Sequence, residues 1–496
     1  MLLRAVALAA ALAVPAQSGA PWTPGAAAGL GRDLDRIVAS APTLTSAHVG
    51  LLVTDATGGQ VLYARNADQV FQSASTLKLV TGSAALERLG PDYRFTTELT
   101  RAPLAGGGGD ALTLRGGGDP LLRDADLDAA ADAARRAGIT RAALTLDESH
   151  ADPADRRGPG WSFDDALADY APAIDGLPLE ENVLALTLAP AAALGDPPAL
   201  QLSPPFVPLA PPAGSCVAGP TLLTFTNRAR TVPAGRPDTS DVHAGPCGDI
   251  VVTGDVPQGA LAHVDVAVDQ PDALALRYFT AALRSRGIEV LPPAATAGPI
   301  PGVVDVPYSA GPAGEVIWHL DGEPLRRLLA DLWLPSDNLI AELLVRELDV
   351  AAANHAGTLA GGVGIEQAWL RSIGVDPASL TIVDGSGLSQ YNRMTPRALV
   401  AILAHDWTGP YHDIVLDALP VAGLRGDLRN LMTGTPAEGR VYAKTGSMSH
   451  VRALAGYVAT RRHGTLIFAL TIDDWIGSDG DLAAVRAAVC SRLAQT

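Results

Sequence analysis

The 496-residue sequence predicts an α/β fold in which one domain is built from both ends of the chain and interrupted by a long insertion. Two observations carry this. Strand-like alternation and helix-period apolar stripes occur together before residue 96 and again after residue 304. Between them the chain is rich in glycine and proline and carries short strands separated by turn signals. The expected division is a leader at 1–20, a discontinuous domain at 21–95 and 305–496, and an insertion at 96–304.

Taken in order, the leader has one Arg at position 4, an apolar run from Ala5 to Val14, and small residues at Ser18 and Ala20. That pattern reads as an export signal. The run is shorter than the ~18–20 residues of a spanning helix, and no cysteine follows it to take lipid. Leu30, Leu34, Ile37 and Val38 then share one helical face. Val49, Leu51 and Val53 alternate, Gly58-Gly59 turns the chain, and Val61 and Tyr63 alternate back, predicting a hairpin with one buried face. A helix is expected from Ser75 to Leu89, stopped by Gly90-Pro91, with Gly82 inside it marking a close backbone approach. A strand follows at 94–100.

In the insertion, 111–115, 142–146 and 262–268 read as strands and the segment ending at Arg286 as a helix. The run 291–302 reads as a boundary. Beyond 320, helices are expected at 328–333, 338–348 and 482–493, and strands at 440–443, 451–458 and 465–472. Lys444 stands at the end of the first of these strands.

Composition removes several functions. An apolar fraction of 48% with 18% charged residues excludes a disordered chain. Lys+Arg 36 against Asp+Glu 53 leaves a net charge of −17, which opposes a nucleic-acid partner. The glycine clusters at 106–109 and 116–118 lack the Lys-Ser/Thr and long helix of a phosphate loop and read as turns. Three cysteines remain. In an exported chain Cys216 and Cys247 are expected to form a disulfide, with Cys490 on the apolar stripe of the last helix. A zinc site from His243, Cys216 and Cys247 has no compact ligand spacing.

Three short motifs could carry chemistry. In Ser75-Thr76-Leu77-Lys78, three residues make about one helical turn, which sets the Lys78 amine beside the Ser75 hydroxyl as base beside nucleophile. A helix cap and a solvated lysine would give the same four letters. In Ser336-Asp337-Asn338, Ser336 can relay a proton and Asn338 can both donate to and accept from a substrate amide, while Asp337 reads as structural. In Lys444-Thr445-Gly446, strand alternation sets Lys444 and Gly446 on one face, and the glycine permits close passage of a substrate or of the Ser75 helix. Each motif is weak alone; their order and element types together fit one catalytic apparatus.

More than the motifs match. The stretches QSASTLKLVTGSAALERLGPDYRFTTEL, LRGGGDPLL, PSDNLIAELLVREL, VDGSGLSQYNRMTP and GTPAEGRVYAKTGSMSHVRALAGYV occur in this order between Leu30 and Leu493. In these the chain resembles the penicillin-binding serine D-alanyl-D-alanine carboxypeptidases of the class C group related to penicillin-binding protein 4, peptidase family S13. Ser336 lies 261 positions after Ser75, an interval far longer than in the compact relatives.

The resemblance implies a β-lactamase/transpeptidase-like domain, an antiparallel sheet flanked by helices, interrupted by two smaller, partly β domains, one nested in the other. It implies Ser75 as nucleophile, Lys78 as general base and Ser336 as proton relay to the departing amine. It further implies Asn338 at the substrate amide, Lys444 with Thr445 at the terminal carboxylate, Gly446 in the family pattern, and the Ser447 N–H as second oxyanion donor beside that of Ser75. The implied partners are peptidoglycan stem peptides ending in D-Ala-D-Ala, with β-lactams as covalent inhibitors, and no metal or other cofactor. The place implied is the periplasm or the cell wall. Departures are Pro335 before the serine motif and Met448, Ser449 and His450 after the lysine motif, which could narrow the cleft. A DD-endopeptidase, a β-lactamase or D-amino-acid amidase or esterase of the same fold, and a non-catalytic wall-binding protein are the alternatives.

Overall fold

A computed structural model describes residues 19–104, 107–205, 224–245, 249–291, 303–304 and 314–496. The leader up to residue 18, the expected Cys216–Cys247 pair and the boundary run 292–302 lie outside the described residues. Two compact units form. One comprises the described residues of Met1–Pro91 with Arg326–Asp337 and Val363–Thr496; the other comprises those of Asp92–Leu325 with Asn338–Gly362.

In the first unit an antiparallel sheet of five strands runs in the order Val441–Met448, Val451–Ala459, Thr465–Asp473, His48–Asp55, Val61–Arg65. The helices Pro24–Ala39 and Asp479–Ala494 cover one face: Leu30, Leu34, Leu482, Val489 and Leu493 pack with Val49, Leu51, Val53, Leu454 and Phe468. Both helices start on readable caps. The Thr23 hydroxyl accepts from the Ala26 N–H at 3.2 Å ahead of Pro24, and Ser478 and Asp481 form a capping box. The buried thiol of Cys490 lies in this core and is held up to about 12 by desolvation.

The helix Pro396–Thr408 packs on the strands His48–Asp55, Val451–Ala459 and Thr465–Asp473 as well. The strand His48–Asp55 is therefore buried from Val49 to Thr54, not along one face as the hairpin pattern predicts. A central strand sandwiched between helical layers loses the polar alternation of a solvated sheet. Helices Leu359–Ser372, Pro396–Thr408 and His412–Ala418 are additions to the sequence reading.

Asp406 on the helix Pro396–Thr408 accepts from the Ser83 hydroxyl at 2.8 Å, joining it to the helix Lys78–Leu89. Burial raises the Asp406 carboxyl from the usual 3.8 to about 7, against the Ser83 hydrogen bond. The folded chain thus holds a proton that the unfolded chain releases near pH 4. Stability from this group is full below that and is lost as pH rises to about 7. Asp406→Asn keeps an acceptor for Ser83 without the charge. Its stability relative to wild type is expected to be about 2–3 kcal/mol more favourable at pH 8 than at pH 5, read from denaturant melts at both pH values.

In the second unit a mixed sheet runs Glu289–Val290, Arg141–Asp147, Asp110–Gly116, Thr96–Pro103, Glu315–Asp321, and Val303–Val304 also pairs with Arg141–Asp147. Asp110–Gly116 and Arg141–Asp147 are parallel, joined through the helix Asp124–Arg136, which packs with Pro271–Ser285 over the sheet. A second core gathers Leu186, Leu188, Ile250, Val252 and Val266 from short strands. In sequence those strands fall between Arg141–Asp147 and Pro271–Ser285. The α/β class, with helix-flanked sheets and extra small β-rich parts, is as the sequence predicts. Among the described residues no helix is long and apolar enough to cross a membrane.

Candidate active site

Ser75 does not open an α-helix. It lies in a 3₁₀ turn, Ala74–Leu77, and the α-helix begins at Lys78. The Ser73 carbonyl takes both the Thr76 N–H at 3.2 Å and the Thr76 hydroxyl at 2.5 Å, which tightens the turn. Ala74 adopts φ +42°, a left-handed conformation costly for a residue with a Cβ. Two glycines make room for this turn. A Cβ at Gly387 would lie 1.9 Å from the Ala74 carbonyl oxygen, and one at Gly446 would lie 2.9 Å from the Ser73 carbonyl oxygen. The close passage expected at Gly446 is thus made by the segment that carries Ser75. Ser75 keeps partial exposure while Ala74, Thr76, Leu77 and Lys78 are buried.

Lys78 Nζ donates to Ser75 Oγ at 3.0 Å and to the Ser386 carbonyl at 2.7 Å. That carbonyl belongs to the glycine-flanked loop Asp384-Gly385-Ser386-Gly387, which Asp384 shapes. Its Oδ1 accepts from the Gly387 N–H at 2.9 Å and from Asn392 Nδ2 at 2.7 Å, and its Oδ2 accepts from the Ser389 N–H at 2.7 Å. Thr81 Oγ1 adds a 2.7 Å bond to the Gly385 carbonyl. From the other side, the Trp333 indole donates to the Lys78 carbonyl at 2.9 Å and fills the space a Cβ on Gly82 would need, 2.5 Å from Cζ2. The close approach marked by Gly82 is an indole rather than a backbone.

The strand bearing Lys444 continues to Met448, so the motif sits within the strand and not at its end; Ser449 and His450 make the turn, with φ +58° at His450. Lys444 Nζ donates to Ser336 Oγ at 2.8 Å and to the Thr445 carbonyl at 3.0 Å. Ser336 is presented from a left-handed φ of +67°, and the following Asp337 N–H donates to the Leu332 carbonyl at 3.0 Å. Thr445 Oγ1 donates to Asp427 Oδ2 at 2.7 Å, and the same oxygen lies 3.6 Å from Lys444 Nζ. Burial lowers the Lys444 ammonium from 10.5 to about 8, against the opposing pull of Asp427.

Val441–Met448 is an edge strand, and its outer side carries the Ala443 N–H to the Pro420 carbonyl at 3.0 Å. With a period of two, Thr445 and Ser447 direct their N–H and C=O groups to the same edge, and Ser447 is exposed. Asn338 belongs to the second unit, where it opens the helix Asn338–Ala353 and donates from Nδ2 to the Tyr170 carbonyl at 2.6 Å. Ser75, Lys78, Ser336, Lys444, Thr445, Gly446 and Ser447 fall in the first unit. Asp427 and Asp384 carry no motif of their own. Only the local string Asp-Gly-Ser-Gly signals the second as a turn.

Two serine hydroxyls each lie within 3.0 Å of a buried lysine nitrogen, and the turn that carries Ser75 touches the strand that carries Lys444 at Gly446. With the helix-flanked antiparallel sheet, these pairs fit a serine-type hydrolase. The chain belongs to the D-Ala-D-Ala carboxypeptidase 3 (S13) family, whose family model matches residues 30–496. It is 34% identical over 485 residues to a D-alanyl-D-alanine carboxypeptidase of Actinomadura sp. (strain R39), covering 94% of this chain and 84% of the relative. It is 26% identical over 447 residues to D-alanyl-D-alanine carboxypeptidase DacB of Haemophilus influenzae, covering 88% and 87%. The crystal structure of penicillin binding protein 4 from Haemophilus influenzae shares the fold, with a TM-score of 0.76 at 22% identity over 93% of this chain and 99% of that one.

Proposed function

We propose that the protein cleaves the terminal D-Ala-D-Ala bond of peptidoglycan stem peptides through an acyl-enzyme on Ser75. The observation that carries the reading is the paired placement of Ser75 with Lys78 at 3.0 Å and Ser336 with Lys444 at 2.8 Å. Family membership and the similarity to the D-alanyl-D-alanine carboxypeptidase of Actinomadura support the substrate class.

Ser75 Oγ attacks the carbonyl of the penultimate D-alanine while its proton passes to Lys78. The oxyanion is held by the N–H groups of Ser75 and Ser447, the latter on the open strand edge. Ser336, hydrogen-bonded to Lys444, relays to the departing amine the proton that Lys78 took, so the C–N bond breaks, D-alanine is freed and Lys78 is neutral again. Water then attacks the ester, giving its proton to Lys78, which returns it to Ser75 Oγ as the shortened peptide leaves. Asn338 holds the substrate amide, Lys444 and Thr445 hold the terminal carboxylate, and Gly446 keeps the strand against the Ser75 turn. β-Lactams acylate the same hydroxyl. The place of action is outside the cytoplasm, in the periplasm or at the cell wall, reached through the export signal.

Incubation with a fluorescent penicillin followed by peptide mass spectrometry is expected to place one adduct on Ser75; no adduct there overturns the reading. Release of D-alanine from a pentapeptide, set against splitting of a cross-linked dimer, measures the carboxypeptidase and endopeptidase shares.

A further inference from the structure

In the second unit, residues 156–175 form a loop closed at its base, where the Ile174 N–H donates to the Arg156 carbonyl at 2.9 Å. Within it the Arg157 guanidinium donates to the Ala166 and Ala171 carbonyls at 3.1 and 3.0 Å, and the Tyr170 carbonyl accepts from Asn338 Nδ2 at 2.6 Å. Three buried carboxyls gather at the base, Glu148, Asp175 and Asp272, with the guanidinium of Arg156 beside them. Arg156 Nη2 donates to Asp272 Oδ2 at 2.8 Å and lies 3.6 Å from Glu148 Oε2. The neighbouring charges are engaged elsewhere: Asp147 with Arg115, His150 with Glu347, and Arg157 with Asp269.

Asp175 Oδ1 accepts from Asn182 Nδ2 at 3.0 Å, but Asp175 Oδ2, Glu148 Oε1 and Asn182 Oδ1 are buried and find no donor among the described residues. A hydrogen bond nevertheless joins Glu148 to Asp175, and two ionised carboxylates, which only accept, cannot make it. One of the two keeps a proton. Burial is the first cause that raises both above the usual carboxylate range, Asp175 to about 7, while Arg156 pulls the other way.

We propose that Glu148 and Asp175 share a proton and form a pH-operated clamp at the base of the loop 156–175, closed while the proton is held and weakened when it leaves. Without the proton two like charges adjoin in a buried site whose one guanidinium is already bonded to Asp272, and opening the loop hydrates them. Opening also withdraws the Tyr170 carbonyl from Asn338. The consequence for catalysis rests on the proposed function, which sets Asn338 at the substrate amide; the clamp itself does not. The closed loop holds a proton that the opened loop releases at about pH 4, so closure is full below that and is lost as pH rises to about 7.

Hydrogen exchange of the full chain tests the clamp, read by mass spectrometry on peptides from 156–175 and corrected for the intrinsic pH dependence of exchange. Relative to the strand Asp110–Gly116 of the same unit, protection of the loop is expected to fall by about 10-fold or more between pH 5 and pH 8. Asp175→Asn supplies a fixed N–H toward Glu148 in place of the proton, while its oxygen still accepts from Asn182. It is expected to cut the fall to about 3-fold at most. Glu148→Gln supplies the donor from the opposite side if the first variant does not fold, with the same expected direction. A purely structural role for the pair lowers protection at both pH values and leaves the fall between them in place. A wild-type loop whose protection changes by less than about 2-fold, or variants that keep the whole fall, overturn this inference and leave the proposed function intact. Absence of a penicillin adduct on wild-type Ser75 overturns the proposed function and leaves the clamp standing.

Discussion

Ser75→Ala is expected to leave a folded protein that takes no penicillin adduct and turns over peptide at least about 10⁴-fold more slowly than wild type. In the proposed mechanism the hydroxyl removed is the atom to which the acyl group bonds, so Lys78, Ser336 and Lys444 together have nothing to activate. The substitution is mild for the fold. Ser75 is partly exposed, and Lys78 keeps the Ser386 carbonyl at 2.7 Å. One lost hydrogen bond corresponds to about 1 kcal/mol, a small change in Tm. Intact-mass measurement after drug exposure, alongside a thermal melt, reads both quantities. A variant that still acquires one drug per chain, or that retains a tenth of wild-type turnover, would place the nucleophile elsewhere.

The contact between Ser75 and Lys78 was readable because their spacing repeats the geometry of the element they sit on. Three positions from Ser75 to Lys78 make a turn in a 3₁₀ segment as they do in an α-helix. The contact therefore survives although the helix starts three residues later than expected. The terminal helices were readable for a similar reason: Leu30, Leu34, Leu482, Val489 and Leu493 are periodic because each packs on one face of one sheet. Asp427 was not readable in this way, and Asp384 and Gly387 were readable only as a turn-rich, glycine-bearing loop within a stretch that resembles the family. Their roles depend on partners at Thr445, Asn392 and Ala74, brought near by the sheet and by a loop, and no local pattern encodes those meetings. The helix Pro396–Thr408 is a different case. Thr395 caps it, accepting from the Ala398 N–H at 3.0 Å ahead of Pro396, so its start signal is present in the chain. Its apolar residues cover the second face of the sheet, which also explains why His48–Asp55 lacks a polar side.

Lys78→Met is expected to slow acylation of Ser75 by about 10³ to 10⁴-fold, the range of a positioned general base. Methionine matches the lysine stem in length and fills the buried channel between the Ser75 turn and the Asp384 loop, so packing is preserved. What disappears is the nitrogen 3.0 Å from Ser75 Oγ, proposed to accept the proton that must leave as the ester forms. The Ser386 carbonyl loses its 2.7 Å donor at the same time, so a fall of a few degrees in Tm is expected beside the kinetic loss. Lys78→Arg separates proton acceptance from charge. A guanidinium keeps a cation beside the hydroxyl but cannot take a proton at working pH, and its planar fork does not reproduce a single tetrahedral nitrogen. If Lys78 acts as the base, the arginine variant acylates as slowly as the methionine variant. If its work is only to hold positive charge near the oxyanion, arginine restores much of the rate, and stopped-flow acylation of the two variants by one penicillin decides between these roles.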